Sequence, residues 1–296
     1  LPWVIENGIS FFAFDLDRVR AALAAAQRVK RIAFLHLEVE TGLYRTGLSE
    51  QALSEAVSLV RKHPDHLKIV GLCTHLAGAE SFANYLRVTE QIRVFEARAE
   101  QLKALGHPDV LKHAACSAGA FNFPHSIFDL VRFGIAHYGY WPSSETWVAW
   151  LRNQSKGPRE GSPLKRVLEW KSHVLDLTTV PFGEYVGYGN AYQAQRETQI
   201  AVVPVGYSSG FPRSQSNLGQ VLIDGKLCPV VGTINMNMLS VDVTDCDPVQ
   251  RGDEVVLIGN QGDCEISVAS FAERTRTFNY ETLVRLDGPI PRQVVD

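Results

Sequence analysis

Several short groups of residues along the chain suit the binding of an anion and the movement of a proton. They are Thr41-Gly42-x-x-Arg45, Thr74-His75, Ser117-Ala118, Arg132-x-Gly134-Ile135, Gly206-Tyr207-x-x-Gly210, Asn235-Met236 and Asn279-Tyr280-Glu281. An arginine, a serine and glycine-flanked backbone amides can enclose a phosphate or carboxylate. A histidine and a tyrosine can transfer a proton if their surroundings tune them. Taken singly, each has a plainer explanation. Thr74-His75 reads as a hydrogen-bonded loop pair, Arg132 as a structural ion-pair partner, Cys116 as a small core residue, and Tyr207 and Tyr280 as packing aromatics. Metal chemistry has no support, because the nine histidines show neither HxH nor HExxH spacing. A Walker phosphate loop is also absent from the sequence.

The elements that must position these groups fall into two kinds. Over the first 140 residues, short apolar runs at 9–14, 31–39, 68–75, 110–116 and 130–138 read as buried strands. Amphipathic stretches lie between them. Residues 49–62 follow Ser49 as N-cap and set Leu53, Ala56, Val57 and Val60 on one face; residues 84–105 do the same with Val88, Ile92, Phe95, Ala99 and Leu102. Strand–helix alternation implies βα units on a parallel sheet. About five strands are expected, and a complete eight-stranded barrel needs roughly 200–250 residues, so the segment reads as the last five-eighths of a barrel. The polar groups then fall at the strand C-termini, where barrel enzymes collect their chemistry.

Residues 141–165, rich in proline and glycine, read as a connection, and beyond it the hydrophobic period changes to two. Runs at 199–206, 219–224, 227–232, 237–243 and 254–258 are short and β-branched, with Asp224-Gly225 as a two-residue hairpin turn. One helix is expected near 268–276, capped by Ser267 or Ser270. The boundaries are 1–150 for the partial barrel, 151–165 for the linker and 166–296 for a mostly antiparallel β domain.

Composition narrows the function classes. In 296 residues, 29 Lys plus Arg face 32 Asp plus Glu, a net charge of -3 that argues against a nucleic-acid partner. No apolar run is long enough for a membrane-spanning helix. The five cysteines, at 73, 116, 228, 246 and 264, form no CxxC pair, which fits a reducing cytoplasm better than a disulfide framework.

In this order the motifs, with VPVGYSSGFPR and GEYVGYGNAY, resemble alanine racemase over essentially all of the chain. The resemblance implies a pyridoxal 5'-phosphate (PLP) enzyme of fold type III: a TIM-like βα barrel followed by a β domain, acting as a cytoplasmic homodimer with active sites shared between subunits. Its substrate would be alanine, and its product D-alanine for peptidoglycan. Tyr207 matches the catalytic tyrosine that handles the proton on one face of Cα. A phenol near pKa 10 is a poor base at neutral pH, and His75 matches the histidine that contacts that tyrosine. Arg132 matches the arginine facing the pyridine nitrogen. A guanidinium cannot accept a proton, which leaves the ring a weaker electron sink and favours racemisation over transamination. Ser117, the amides of Gly134 and Ile135, and the Tyr280 hydroxyl match the phosphate cradle; Arg45 and the Met236 backbone match the substrate-carboxylate site.

There are departures from the pattern. Ser209 stands where an aspartate is usual, Cys116 where an asparagine is usual, and Asn237 where an aspartate is usual. Glu38 replaces a lysine that is often carbamylated, and it could supply the same negative charge to Arg45. The family's Schiff-base lysine, which is also the second base, belongs to a Lys-Ala-x-Ala-Tyr-Gly type motif on the first barrel strand, and no lysine here has that context. The sequence is accordingly read as an N-terminally truncated member lacking about three βα units. Two other readings remain open: a non-catalytic PLP-binding or dimerisation relic, and a fold type III decarboxylase. The decarboxylase should carry a Cys-x-x-x-Asp catalytic stretch in its β domain, a context not found at Cys228, Cys246 or Cys264. The DNA upstream of Leu1 separates a truncated sequence from a relic. The 296-residue polypeptide alone is expected to show no lysine Schiff-base absorbance and no racemisation with added PLP; a Schiff-base band with turnover would reverse this reading.

Overall fold

A computed structural model describes residues 1–152, 162–270, 279–286 and 288–295. The chain divides into two compact units, Leu1–Arg166 and Val167–Asp296.

The first unit opens with a short helix α1 (Pro2–Glu6) and contains a parallel sheet of β1 (Phe11–Ala13), β2 (Ala33–Glu38), β3 (Leu67–Cys73) and β4 (Leu111–His113), in that order. Helices α2 (Leu16–Val29), α3 (Glu50–Lys62) and α4 (Tyr85–Ala104) connect successive strands. Two of these helices, α2 and α3, start at a side-chain cap. Asp15 accepts the Arg18 N–H at 2.6 Å to cap α2, and Ser49 accepts the Ala52 N–H at 3.2 Å to cap α3. Ala33, Leu35 and Leu37 of β2 join Val19, Ala22, Leu53, Val57 and Phe95 of the helices in one buried core. Burying a leucine or phenylalanine there contributes about 1.5–3 kcal/mol.

The opposite face of the sheet carries the chemistry. Phe12 pairs with His36, His36 with Gly71, Glu38 with Cys73, and Cys73 with His113. A register shift between Leu35 and His36 reverses the alternation of β3. Ile69 pairs with Leu35 on the helix side, whereas Gly71 pairs with His36 on the other.

Two expectations for this unit are corrected. Residues 130–138 form no strand: they give a single parallel bridge, Cys116 to Arg132, and a 3-10 turn at Ile135–Tyr138. Within the run only Ile135 is buried. Phe133 is exposed, and Gly139 closes the turn at a φ of +80°. Four strands are therefore paired, and the bridge marks the place of a fifth. Within 141–165, residues Ser144–Arg152 form helix α6, where stacked Trp147 and Trp150 pack against Trp141. A shorter helix, α5 (Ser117–Asn122), precedes it. The remainder of the expected linker includes 153–161, outside the described residues.

The second unit is an antiparallel sheet of eight strands. These are β5 (Trp170–His173), β6 (Asp176–Val180), β7 (Thr198–Val203), β8 (Gln220–Ile223), β9 (Lys226–Val231), β10 (Leu239–Asp242), β11 (Glu254–Gln261) and β12 (Cys264–Ile266). The path runs β12-β11-β8-β9-β10-β7-β6, and β5 also pairs with β11. Asp224 and Gly225 take φ of 50° and 69°, the double left-handed geometry that a two-residue hairpin turn needs. The helix expected at 268–276 begins after Ser267, whose hydroxyl accepts the Ser270 N–H at 3.2 Å; residues 271–276 lie outside the described set. Helix α7 (Asn279–Arg285) carries Tyr280.

Gly71 is the residue through which β3 admits the His36 ring. A Cβ there would stand 2.0 Å from His36 Nδ1 and within 3 Å of two further ring atoms. Gly71→Ala should expel the ring and cost about 1–3 kcal/mol, read as a lower urea midpoint. A change under about 0.5 kcal/mol, the size of a neutral surface substitution, would show that the close approach is dispensable.

Candidate active site

In the barrel unit, the expected site residues His75, Ser117, Arg132, Gly134, Ile135 and Arg45 all lie at or beyond strand C-termini. Arg132 is the most constrained of them. Its Nη1 donates to the carbonyl of His113 at 3.0 Å and to His113 Nδ1 at 2.5 Å. Its Nη2 donates to the carbonyls of Thr74 at 2.7 Å and Ala114 at 3.1 Å. Because a guanidinium only donates, His113 Nδ1 must accept. The proton of the neutral ring then sits on Nε2 and is donated to His36 Nδ1 at 2.9 Å. Burial, then the charge of Arg132, holds His113 down to about 4, and the same causes lower His36.

The anion cradle is built on the same loop. Ser117, buried at the start of α5, accepts the Gly134 N–H at 2.9 Å and keeps its own hydroxyl proton to donate. A Cβ on Gly134 would meet nothing within 4 Å, so open space lies beside this loop. The first N–H groups of the following 3-10 turn, beginning at Ile135, have no partner within that turn. These donors, with α5 beginning at Ser117, fit a phosphate-sized anion.

His75 is held through its backbone. Gln91, 1% exposed, donates to the His75 carbonyl at 3.1 Å and to Thr41 Oγ1 at 3.2 Å, and its own oxygen accepts the Ala77 N–H at 2.7 Å. The Thr41 and Thr74 hydroxyls meet at 2.8 Å. Burial, then the charges of Arg45 and Arg132, holds the His75 imidazole below the usual histidine range, with Glu38 and Glu80 opposing. It is therefore neutral at pH 7 and able to accept a proton.

Arg45 is exposed on a loop organised by Glu40, whose carboxylate accepts the N–H groups of Gly42, Leu43 and Tyr44; those hydrogen bonds hold its pKa below the usual carboxylate range against the effect of burial. Glu38 is buried, and the partner described for it is Thr46, whose hydroxyl it accepts at 2.9 Å. It thus steadies the neighbour of Arg45 in the chain.

In the β unit, Tyr207 and Met236 are brought together. The Tyr207 N–H donates to the Asn235 carbonyl at 3.1 Å, and the Ser208 N–H to the Met236 carbonyl at 3.0 Å. Gly206 makes this approach possible, since a Cβ there would stand 2.2 Å from Asn235 O. Both residues line a cleft of about 440 Å³ with Tyr188, Arg213 and Met238. Gly206 to Gly210 also spells Gly-x-Ser-x-Gly, but the Ser208 hydroxyl is directed at Met236 O and Asn237 Oδ1, at 2.8 and 2.9 Å, and the residues form a 3-10 turn in place of a strand–helix elbow. Tyr280 lies exposed on α7. Sequence reasoning missed His113, His36, Gln91 and Glu40. Only the inward parity of His36 and His113 on their strands was there to be read.

A parallel βα sheet with an anion cradle at its strand C-termini, followed by an antiparallel β unit carrying a tyrosine, defines a fold type III barrel protein. Residues 1–142 match the family model described as alanine racemase, N-terminal domain, and residues 167–294 that described as alanine racemase, C-terminal domain. The chain belongs to the alanine racemase family. The alanine racemase of Symbiobacterium thermophilum is 38% identical over 292 residues, which are 98% of this chain and 73% of the relative. That of Leptospira interrogans is 35% identical over 262 residues, 88% of this chain. The chain spans 66% of that relative's length. Among solved structures, alanine racemase from a D-cycloserine-producing Streptomyces lavendulae superposes with a TM-score of 0.85 at 29% identity, covering 98% of this chain and 74% of its own. Alanine racemase from Bartonella henselae, solved with covalently bound pyridoxal phosphate, gives 0.76 at 27% identity, covering 96% and 72%.

The tie between Arg132 and His113 has a pH signature. Above the unfolded histidine value of 6.5, His113 is neutral in both states and its contribution to stability is fully present. As pH falls from 6.5 toward the folded value of about 4, the unfolded chain takes up a proton that the folded one refuses, and stability declines. His113→Gln keeps an acceptor and a donor but cannot titrate. Between about pH 7 and about pH 4.5 its urea midpoint should fall less steeply than the parent's, with His36, His75 and His107 leaving some residual slope. Equal slopes would mean that His113 is ordinary in its ionisation.

Proposed function

We propose that the chain carries the tyrosine side of an alanine racemase, interconverting L- and D-alanine by two-base proton transfer at Cα, with pyridoxal 5'-phosphate as cofactor. The observation that carries this reading is Arg132, a permanent donor whose two terminal nitrogens are both held by the protein, beside an anion cradle in a chain of this family. Bound pyridoxal phosphate would supply the electron withdrawal that makes the Cα proton removable. Ser117 and the amides of Gly134 and Ile135 would hold its phosphate, the Gly134 N–H turning to it from Ser117 Oγ, joined by the Tyr280 hydroxyl. Arg132 would face the ring nitrogen as donor only, so no protein proton is delivered there. Arg45 and the backbone at Met236 would hold the substrate carboxylate. His75, kept neutral by its surroundings, would take the proton from the Tyr207 hydroxyl and let the phenolate serve one face of Cα.

The opposite face requires the lysine of the family's first-strand motif, which is not among these residues. The same reading makes the protein a homodimer that shares its sites between subunits, works in the cytoplasm and supplies D-alanine for peptidoglycan. Its support is the family membership, the match to solved alanine racemases and the fit of the cradle. No described helix is long and apolar enough to cross a membrane.

In a protein that carries the lysine motif ahead of these residues, Tyr207→Phe should lower racemisation by about 100- to 10,000-fold while leaving the cofactor bound. Because the bases serve opposite faces, single-turnover exchange of the Cα hydrogen should become strongly unequal between L- and D-alanine. Equal losses for the two enantiomers would remove Tyr207 from the role of face-specific base.

A further inference from the structure

Outside the site, the β unit holds a pair of thiols eighteen positions apart in sequence whose sulfurs lie 3.0 Å from each other. Cys228 stands on β9 with its side chain in the core, opposite Val221 of β8. Cys246 lies in the turn after β10, partly exposed, with its N–H on the Val243 carbonyl at 3.1 Å. Their segments are already held side by side. β9 and β10 pair through Ser240 and Val231, and Lys226 binds Asp247 at 2.6 Å directly beside the pair. A disulfide needs the sulfurs only about 1 Å closer, at about 2.05 Å.

We propose that Cys228 and Cys246 are a reversible redox pair that closes to an intramolecular disulfide by exchange with a low-molecular-weight disulfide. The exposed thiol acts first. The Cys246 thiolate attacks one sulfur of the small disulfide, a mixed disulfide forms at Cys246, and one small thiolate leaves. The Cys228 thiol then gives up its proton and attacks Cys246 Sγ; the protein disulfide forms and the second small thiolate leaves. Two protein thiols are oxidised, one small disulfide is reduced to two small thiols, and both protons are accounted for. This order follows from exposure, and burial together with the hydrogen bond to Cys246 pushes the Cys228 thiol up, making it the poorer first nucleophile. The bond would close a loop around residues 229–245, which include the Asn235–Met238 turn lining the cleft beside Tyr207. The device operates whether or not the chain racemises alanine.

The test uses the full chain incubated with oxidised glutathione, followed by alkylation of remaining thiols and peptide mass mapping. The expected product is a 228–246 cross-linked peptide two hydrogens lighter than its parts, with Cys73, Cys116 and Cys264 alkylated, reversed by dithiothreitol. Its thermal midpoint should rise by about 5 °C on closure. Cys228→Ala should trap glutathione on Cys246, and Cys246→Ser should slow any modification of Cys228 at least about tenfold, the buried thiol being inert. If the alanine variant fails to fold, the parent's peptide map and the serine variant on the exposed turn decide the matter. Alkylation of both cysteines at the rate of Cys264, or cross-links that join other pairs, would overturn the proposal.

Discussion

The barrel unit depends on a one-way rule of hydrogen bonding: a guanidinium gives protons and never takes them. Arg132 spends its donors on the carbonyls of Thr74, His113 and Ala114 and on the His113 ring, which joins the ends of β3 and β4 to the loop beyond. The rule then propagates. His113 must present a bare nitrogen to Arg132, so its proton points at His36, whose facing nitrogen must in turn be bare. One permanently charged side chain thereby sets the tautomers of two histidines in the barrel interior and discourages either from becoming charged.

The β unit solves a different problem by different means. Tyr207 is positioned by main-chain contact, with the backbone at Gly206 laid against the carbonyls of Asn235 and Met236. The tyrosine and the turn at Met236 are consequently joined by hydrogen bonds, although 29 positions separate Tyr207 from Met236 in sequence. A side chain beyond hydrogen at Gly206 would separate two residues that the family resemblance assigns to the proton and to the carboxylate.

Much of this was readable from residue types. The apolar spacing in 49–62 announced α3 and its Ser49 cap, and Asp224-Gly225 announced a hairpin turn through the only backbone geometry that suits it. What escaped reading has physical causes. The run 130–138 has the composition of a strand, but it pairs only through the bridge at Arg132, and a 3-10 turn framed by Gly134 and Gly139 follows. The helix at Ser144–Arg152 was hidden because prolines and glycines on both sides outweighed the tryptophan spacing within it. Gln91 looked like any helical glutamine, since its acceptors are a carbonyl and a threonine hydroxyl that no periodicity reveals. Glu38 looked solvated or paired with Arg45, whereas its carboxylate is buried on Thr46.

The register shift in β3 has a wider consequence. Before the shift the strand's buried side chains answer to the helices, and after it Gly71 and Cys73 answer to the barrel interior. A single strand is thus divided into two phases, with Val70 as the residue between them. The alternation that packs the core and the alternation that furnishes the site are uncoupled, so each can drift in sequence without dragging the other along. Residue count at that point is as much a part of the site as any side chain: one position more or fewer would turn Thr74 and its carbonyl away from Arg132.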